Sequence, residues 1–330
     1  MHTCAFGGGR EGVIIFFMRR GLLLYNPAAG RISVRPFLRG ILRSLNAAGW
    51  QMDVVEALSS SHTTRAARQA ALENYEAVFA IGGDGTIGHV TAGLMGSETA
   101  LAPIPGGTAN VWGREQGMKP FTWYRWWALK ENARLLANSP AQYVDVGLCN
   151  ERPFLMWAGI GLDALAIHKM EPRSRFVKYL SVPQFFATTV WEATFWHGMD
   201  LRVLADGKQI DGHFLLAVAT NIRHYVGGMT LLSPDAFLDD GQMDLWLFSG
   251  NNMADAFRHF FDMLADRHLT SEQARCVPFR EAHIESEEAF SLQMDGEPML
   301  GGQRADLAIR ARSLKVLMPR KALHLLKNPS

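Results

Sequence analysis

Short apolar runs alternate with stretches of helical periodicity over the first 140 residues of the chain. The apolar runs predict four buried strands, at 21–25, 52–58, 77–81 and 100–104. Between them, apolar side chains at helical spacing from 37 to 45 and an alanine-rich stretch from 63 to 74 predict helices, and a third helix is expected from Thr86. Strands that alternate with helices of this length indicate a parallel sheet covered by helices on both faces.

The pattern changes near Pro140, where short alternating segments replace the strand–helix units. These segments predict strands at 154–160, 201–204, 214–219, 243–248 and 306–316. Asp206-Gly207 stands between two of them and is typical of a tight hairpin turn. Two helices are expected to interrupt this half, at about 183–198 and about 252–267. The second half therefore reads as a mostly antiparallel β domain.

The change of pattern divides the 330 residues into two domains. We expect an α/β domain over 18–142 and a β domain over 143–316, with 317–330 returning to the first domain. Residues 1–17 lack the features of a targeting signal, and Met18 runs directly into the first strand. They are interpreted as an upstream extension that is disordered or not native.

The amino-acid composition argues against several classes of protein and indicates a cellular location. Hydrophobic residues make up 48% and charged residues 20% of the chain, and the net charge of +1 does not favour nucleic-acid binding. The three cysteines are scattered, which is typical of a reducing compartment rather than of a disulfide framework or a zinc site. No apolar run approaches the length of a membrane span. We therefore expect a cytoplasmic protein.

Three glycine-containing loops carry the candidate chemistry, and each follows a predicted strand and precedes a helix. They are Asn26–Gly30, Gly82–Thr86 and Pro105–Asn110. Glycines let the backbone approach a ligand closely, and the following helix offers unpaired N–H groups and the positive end of its dipole. In an open α/β sheet such loops meet at the carboxyl ends of the strands. Together they predict a polyphosphate-binding cradle.

Asp84 is the exceptional residue of these loops because a carboxylate repels phosphate groups. Its presence predicts a Mg²⁺ ion between the two. A plain helix cap is the alternative interpretation of Asp84.

The same motifs resemble the diacylglycerol kinase catalytic family, which includes sphingosine kinases and bacterial lipid kinases. The resemblance extends from about Leu22 to Val316 and rests on six motifs in family order. Besides the three loops, these are Gly159-Ile-Gly-Leu-Asp163-Ala, the loop from Pro234 to Asp244, and Asp295-Gly-Glu297. The Gly-Gly-Asp-Gly-Thr motif also occurs in NAD kinases and is only moderately specific by itself. The six motifs in family order identify the family far more specifically than any one of them.

The resemblance implies an N-terminal domain like that of NAD kinase and 6-phosphofructokinase, a C-terminal β-sandwich, and ATP bound between them. Mapped onto this chain, the ATP-binding residues would be Asn26, Pro27, Ala28, Ala29, Gly30, Gly82, Gly83, Asp84, Gly85, Thr86, Gly88, Gly107, Thr108 and Asn110. The loop from Pro234 would hold a structural Mg²⁺ through the Asp240 carboxylate and the main chains of Phe237 and Gln242.

The Asp295-Gly-Glu297 turn would supply the catalytic base, with Asp84 as the third catalytic residue. One of the two carboxylates would accept the proton of the acceptor hydroxyl as it attacks the γ-phosphorus. The sequence does not choose between them. The chain also departs from the family, because Gly88 and His89 stand where an Asn and a Glu are usual. All eleven histidines are interpreted as structural.

A lipid acceptor requires an apolar cleft, and the helix over 182–196 is the predicted place for it. The aromatic segment Trp123–Trp127 is a second candidate for a position at lipid headgroups, although packing in a core or between domains is favoured for both. The partner is expected to be a lipid at a membrane surface, with the protein bound peripherally. A homodimer is a further expectation that no residue pattern supports.

Three hypotheses follow for the function. The first is an ATP-dependent lipid kinase that acts on diacylglycerol or a similar lipid alcohol. The second is a kinase of the NAD kinase type with a soluble acceptor, which the Asn-Pro loop and the Asp-Gly-Glu turn disfavour. The third is a catalytically silent protein that binds nucleotide or lipid, motivated by Gly88-His89.

Overall fold

The computed structural model describes residues 18–170, 191 and 195–329. The predicted extension over 1–17 and most of the predicted helix over 182–196 lie outside the described residues.

The N-terminal part consists of four strands and five helices in alternation. The strands are β1 (Arg19–Tyr25), β2 (Trp50–Glu56), β3 (Ala77–Gly82) and β4 (Ala100–Pro105). The helices are α1 (Leu38–Ala47), α2 (Ser60–Leu72), α3 (Asp84–Leu94), α4 (Val111–Glu115) and α5 (Ala128–Ala137). The four strands lie in the order β2-β1-β3-β4, and each neighbouring pair is parallel.

Alternate side chains of the strands pack beneath helices on opposite faces of the sheet. Leu22 and Leu24 of β1 lie in one core with the buried residues of α2 and α3. Leu23 lies in a separate core with Ile41 of α1 and Leu129 of α5. This burial on both faces explains why the strands appear in the sequence as continuous apolar runs rather than as alternating ones.

The C-terminal part is rich in strands. They are β5 (Ala141–Cys149), β6 (Arg152–Phe154), β7 (Trp157–Gly161), β8 (Met199–Ala205), β9 (Lys208–Thr220), β10 (His224–Tyr225), β11 (Thr230–Leu231), β12 (Met243–Ser249), β13 (Ala274–Phe279), β14 (Glu281–Met294) and β15 (Glu297–Leu317). Two described helices accompany them, α6 (Leu162–Met170) and α7 (Met253–Leu264). A two-domain fold with a β-rich C-terminal part is therefore confirmed.

The strands of the two parts are not hydrogen-bonded into two separate sheets. Thirteen of the described strands form one sheet, in which β15 pairs antiparallel with β5 and β14 and touches β4 in parallel at Val316 and Leu101. The long strands β9 and β14 each pair with β8 at one end and with β7 at the other. Strands 13 and 14 residues long thus bend around a shared apolar core.

Some predicted elements have other boundaries in the structure. The hairpin at Asp206-Gly207 is confirmed, and both residues have positive φ angles, 46° and 79°, as a type I′ turn requires. The predicted strand over 154–160 is wrong as a single element, because Leu155 and Met156 donate their N–H groups to a side chain instead of to a strand. Helix α6 was not predicted from the sequence.

Candidate active site

The three glycine loops follow β1, β3 and β4 and lie against one another at the carboxyl edge of the parallel strands. The Asn26 Nδ2 donates to Thr86 Oγ1 at 3.0 Å, which joins the first loop to the second. The N–H of Gly106 donates to the Gly82 carbonyl at 2.8 Å, which joins the second loop to the third. The sequence-predicted loops therefore form one continuous wall of backbone.

Glycine is required where these loops touch. Gly30 has a φ of +65°, and a Cβ atom there would lie 2.5 Å from the Gly106 carbonyl oxygen. A Cβ atom on Gly107 would overlap the Cα of Gly83. The main chains of the second and third loops are thus in contact without intervening side chains, which only glycine permits.

Asn110 fixes the third loop. It adopts the left-handed conformation with φ 50° and is buried, and its Oδ1 accepts from the Gly107 N–H at 2.7 Å while its Nδ2 donates to the Gly107 carbonyl at 2.8 Å. The amide side chain therefore replaces two backbone partners, and Asn tolerates this backbone region better than most residues do. Thr108 lies half-buried within the same turn.

Asp84 is the first residue of α3, yet it caps a different helix. Its Oδ1 accepts from the Trp112 N–H at 3.2 Å, at the start of α4. Burial raises the pKa of this carboxyl, and the N–H groups at the start of α4 partly offset the rise. A capping contact is thus present, to α4 rather than to the helix that Asp84 begins, and the carboxyl group lies between the second and third loops.

Asp295 lies across from this wall, at the turn between β14 and β15. Three consecutive N–H groups donate to its carboxylate: Leu155 to Oδ2 at 2.8 Å, and Met156 and Trp157 to Oδ1 at 2.8 and 3.2 Å. Burial raises its pKa to about 6, and the nearby Asp84 charge contributes to the rise. The carboxyl group is held rigidly and titrates near the range in which a general base works.

Gly88 leaves room for this carboxylate. A Cβ atom at position 88 would lie 3.3 Å from Asp295 Oδ2, which is tighter than almost all real contacts. The Oδ2 atom therefore faces the open backbone of α3. A side chain at position 88 would therefore crowd the Asp295 carboxylate, and glycine leaves this space open.

Glu297, two residues later, has a different environment. Its Oε2 lies 3.4 Å from His89 Nε2, and its side chain is 46% exposed. The hydrogen bond and charge of His89 lower the pKa of Glu297 despite its partial burial. The two carboxylates of the turn are thus driven apart in pKa, a pattern that typically separates catalytic roles.

A buried network supports the turn from behind. Gln293 accepts the Gly296 N–H at 3.0 Å and donates to Asp163 Oδ2 at 2.9 Å, and the Tyr225 hydroxyl donates to the same oxygen at 2.8 Å. Asp163 comes from the Gly-x-Gly-x-Asp segment at the start of α6. That motif therefore contributes to the position of the acidic turn rather than to the cavity wall.

A cavity of about 340 Å³ opens beside the loops. It is lined by Asn26–Ala28, by 56–60 and Thr63, by Gly85, Thr86 and His89, and by Glu297. Ser59 caps the N-terminus of α2 by accepting the His62 N–H at 3.1 Å, so this helix begins at the cavity. Ser59, Ser60 and Thr63, at the start of α2, therefore form part of the cavity wall.

His89, which was predicted to be structural, lies in the cavity wall beside Glu297. It lies one helical turn after Gly85 on α3, and both residues line the cavity. His89 follows the loop residue Gly85 by four positions, which places both on the same face of the predicted helix. This spacing could have identified His89 as a residue of the cavity wall.

The predicted metal loop lies apart from the cavity. Asp240 is next to the buried Asp145, whose carboxylate accepts the N–H groups of Gly241 at 2.7 Å and Arg312 at 2.6 Å. Burial raises the pKa of Asp145 to about 6, and the charges of Asp240 and Asp239 contribute. Closely spaced carboxylates and carbonyls are the oxygen ligands that Mg²⁺ prefers, so the donor chemistry fits the ion. Among the described residues no cluster of three acidic, His or Cys side chains has metal-binding geometry.

The chain has a two-domain fold like that of NAD kinases. A diacylglycerol kinase catalytic domain is recognised over residues 20–149, and a YegS C-terminal NAD kinase beta sandwich-like domain over 157–318. The chain belongs to the diacylglycerol kinase catalytic family, as its motifs indicated.

Individual relatives agree with this membership. A diacylglycerol kinase of Bacillus subtilis (strain 168) is 28% identical over 308 residues, which cover 92% of this chain and 98% of the relative. A solved structure from Bacillus anthracis str. Sterne, proposed to be a diacylglycerol kinase, has a TM-score of 0.74 at 24% identity and covers 92% and 98% of the two chains. An NAD kinase from Archaeoglobus fulgidus in complex with ATP has a TM-score of 0.52 at 10% identity, covering 92% and 96%.

No helix among the described residues is long and apolar enough to cross a bilayer.

Proposed function

We propose that this protein is an ATP-dependent lipid kinase that transfers the γ-phosphoryl group to the hydroxyl of diacylglycerol or a similar lipid alcohol. The observation that carries the proposal is Asp295, a rigidly held carboxyl group with a pKa of about 6, opposite a wall of glycine loops. Family membership and the names of the relatives support a lipid acceptor.

The glycine wall provides the donor side of the reaction. The cavity beside it has room for part of a nucleotide, and it combines backbone N–H groups with the N-terminus of α2. The ATP in the related NAD kinase structure supports ATP as the donor. A bound Mg²⁺ would neutralise charge on the phosphates, and in this proposal the Asp84 carboxylate would hold it.

Asp295 serves as the general base in this proposal. As the lipid oxygen forms its bond to the γ-phosphorus, the bond from phosphorus to the bridging oxygen of ADP breaks. The proton of the lipid hydroxyl passes to Asp295 Oδ2, the oxygen that faces Gly88. Glu297, paired with His89, orients the acceptor or the phosphates from the rim of the cavity.

The remaining expectations belong to the same proposal. The loop at Phe237, Asp240 and Gln242 would hold a structural Mg²⁺ that relieves the repulsion around Asp145. The domains would divide at 142/143, with 317–330 returning to the first domain. The protein would act in the cytoplasm, bound peripherally to a membrane.

The experiment is transfer of label from [γ-³²P]ATP in the presence of Mg²⁺, with a total lipid extract and with NAD as separate acceptors. The proposal predicts label in a phosphorylated lipid and none above background in NAD. Label in NAD would identify a soluble-acceptor kinase. ATP binding without label in any acceptor would identify a silent homologue.

A further inference from the structure

The aromatic segment Trp123–Trp127 lies on the surface, which overturns the expectation that it packs in a core. The side chains of Trp123, Tyr124, Trp126 and Trp127 are 78%, 57%, 54% and 43% exposed. Trp123 stands edge-on to Tyr124 with ring centroids 5.5 Å apart, and Trp126 stacks on Phe37 at 5.9 Å. We call these four side chains the aromatic cluster. Large aromatic rings exposed together are unusual on a free surface and mark an interaction site.

A cationic groove continues from the aromatic cluster between α1 and α5. This open groove of about 410 Å³ is lined by Arg43 of α1 and by Lys130 and Arg134 of α5. Lys130 and Arg134 are four residues apart and follow one another along one side of α5, and Trp126 lies four residues before Lys130, just ahead of the helix. The groove therefore extends the aromatic cluster with positive charge.

The positive charge of this surface is not neutralised by acidic neighbours. Helix α1 contains no Asp or Glu, and it adds the exposed Arg39 one turn before Arg43. On α5, Glu131 pairs with Lys119 at 2.9 Å. Among the described residues, Arg43, Lys130 and Arg134 have no acidic partner. The charge stands out because the whole chain carries a net charge of only +1.

The aromatic cluster lies at the same edge of the sheet as the glycine loops, and the groove runs from it toward the opposite edge, where Ala48 and Asn138 line its far end. Helix α1 connects the parallel strands β1 and β2, so its N-terminus lies at their carboxyl ends. The stack of Phe37 on Trp126 brings the N-terminus of α5 to that of α1. At the opposite ends, the Arg19 guanidinium donates to both the Ala48 and Ala137 carbonyls. The aromatic cluster thus lies at the catalytic edge of the first domain.

We propose that the aromatic cluster and the cationic groove form a docking surface for a bilayer rich in anionic lipid. Trp and Tyr rings occupy the boundary between headgroups and acyl chains, and basic side chains are attracted to the negative lipid surface. The groove takes a lipid phosphate, which explains why its three cations remain unpaired. Docking at this edge presents the cleft to its lipid acceptor; this step alone rests on the proposed kinase function.

Sedimentation with vesicles tests the docking surface directly. The wild-type protein is expected to sediment with vesicles of phosphatidylglycerol and phosphatidylcholine, less so at high salt, and far more weakly with pure phosphatidylcholine. Changing Lys130→Gln together with Arg134→Gln weakens binding about 30-fold, since each basic side chain contributes roughly fivefold. Trp123→Ala with Tyr124→Ala also weakens it, at any salt concentration.

Matched variants control for general effects of charge and apolar area. Arg202→Gln with Arg275→Gln removes two exposed cations from β8 and β13, and Leu72→Ala removes an exposed apolar side chain from α2. Both are expected to bind vesicles like the wild type. Equal losses in the control and test variants would overturn the proposal, as would wild-type protein that ignores anionic vesicles. Thermal unfolding of each variant confirms that it is folded.

A dispersed, short-chain diacylglycerol separates docking from catalysis. The test variants should phosphorylate this monomeric acceptor at wild-type rates and lose activity only on vesicles. Vesicle binding without phosphorylation of either acceptor would contradict the kinase function but leave the docking surface intact. If removing the aromatic cluster instead converts a dimer to a monomer in gel filtration, the surface is a contact between copies and the docking proposal fails.

Discussion

The glycine wall and the Asp295–Glu297 turn meet at the start of α3, at Gly85 and Gly88, but are built in opposite ways. The wall is made of main chain, and its three loops touch at Gly30 and Gly107, where no side chain fits. The turn acts through two carboxylates at the end of long bent strands, and a network from a third segment holds it. Each loop of the wall is a short continuous segment with its own sequence signal. The turn, in contrast, is held by residues far away in the sequence.

Because of this difference, the wall and the turn are suited to different chemical tasks. Backbone N–H groups and helix ends bind phosphate without depending on titration. Carboxylates acquire their properties from their surroundings, which here raise the pKa of Asp295 to about 6 and lower that of Glu297. The wall therefore serves to bind the donor, and the turn serves to activate the acceptor.

Changing Asp295→Asn should have the largest effect on activity. The variant keeps the shape of the side chain but cannot accept a proton, so kcat is expected to fall about 10²- to 10⁴-fold with little change in ATP binding. Glu297→Gln, at the exposed rim, should lose about tenfold or less. Steady-state assays with lipid micelles measure both. The reverse order of effects would assign the base to Glu297.

Gly107→Ala should disrupt the wall itself. Its methyl group would overlap the Gly83 main chain, so the loops must separate, with an expected cost of about 1–3 kcal/mol in unfolding free energy. Displaced loops should lower kcat/KM about 100-fold. Gly40→Ala is the control, because its methyl group meets nothing in α1 and should stabilise the helix by about 0.5–1 kcal/mol. Wild-type ATP affinity in Gly107→Ala would show that the loops do not bind the donor.

Asp84 can be tested separately as a charge and as a helix cap. Asp84→Asn keeps an oxygen for the Trp112 N–H, so stability should be preserved, whereas apparent affinity for Mg-ATP should fall roughly 30-fold. Asp84→Ala should additionally lose about 1 kcal/mol of stability. Nucleotide titration and thermal unfolding provide the two measurements. An Asn variant with wild-type nucleotide affinity would leave Asp84 as a cap alone.

The smallest effect on activity is expected at the loop around Asp240, which does not line the cavity. Adding Mg²⁺ without nucleotide should raise the unfolding temperature by a few degrees, equivalent to about 2.7 kcal/mol at 100 times Kd. Asp240→Asn should abolish this rise, whereas Asp211→Asn on β9 should retain it. A Mg²⁺ response that is the same in both variants would exclude the loop as the ion's site.

The sequence predicted the backbone half of the site more fully than the side-chain half. Glycines shortly after apolar runs located all three loops, because these turn signals are local in the sequence. Asp295 and Glu297 were located by motif but not distinguished, since their pKa values depend on residues 155–157 and on His89. The bend of β9 and β14 and the exposure of Trp123 are tertiary properties that periodicity does not encode.

The pH dependence of kcat at saturating ATP and lipid tests the central claim most directly. Asp295 acts as a base only when ionised, and its pKa is raised to about 6. The rate should therefore be level above pH 7 and fall tenfold per pH unit well below 6. ATP binding measured in the same buffers accounts for protonation of the nucleotide. A rate that stays level down to pH 5 would contradict the assignment of Asp295 as the base.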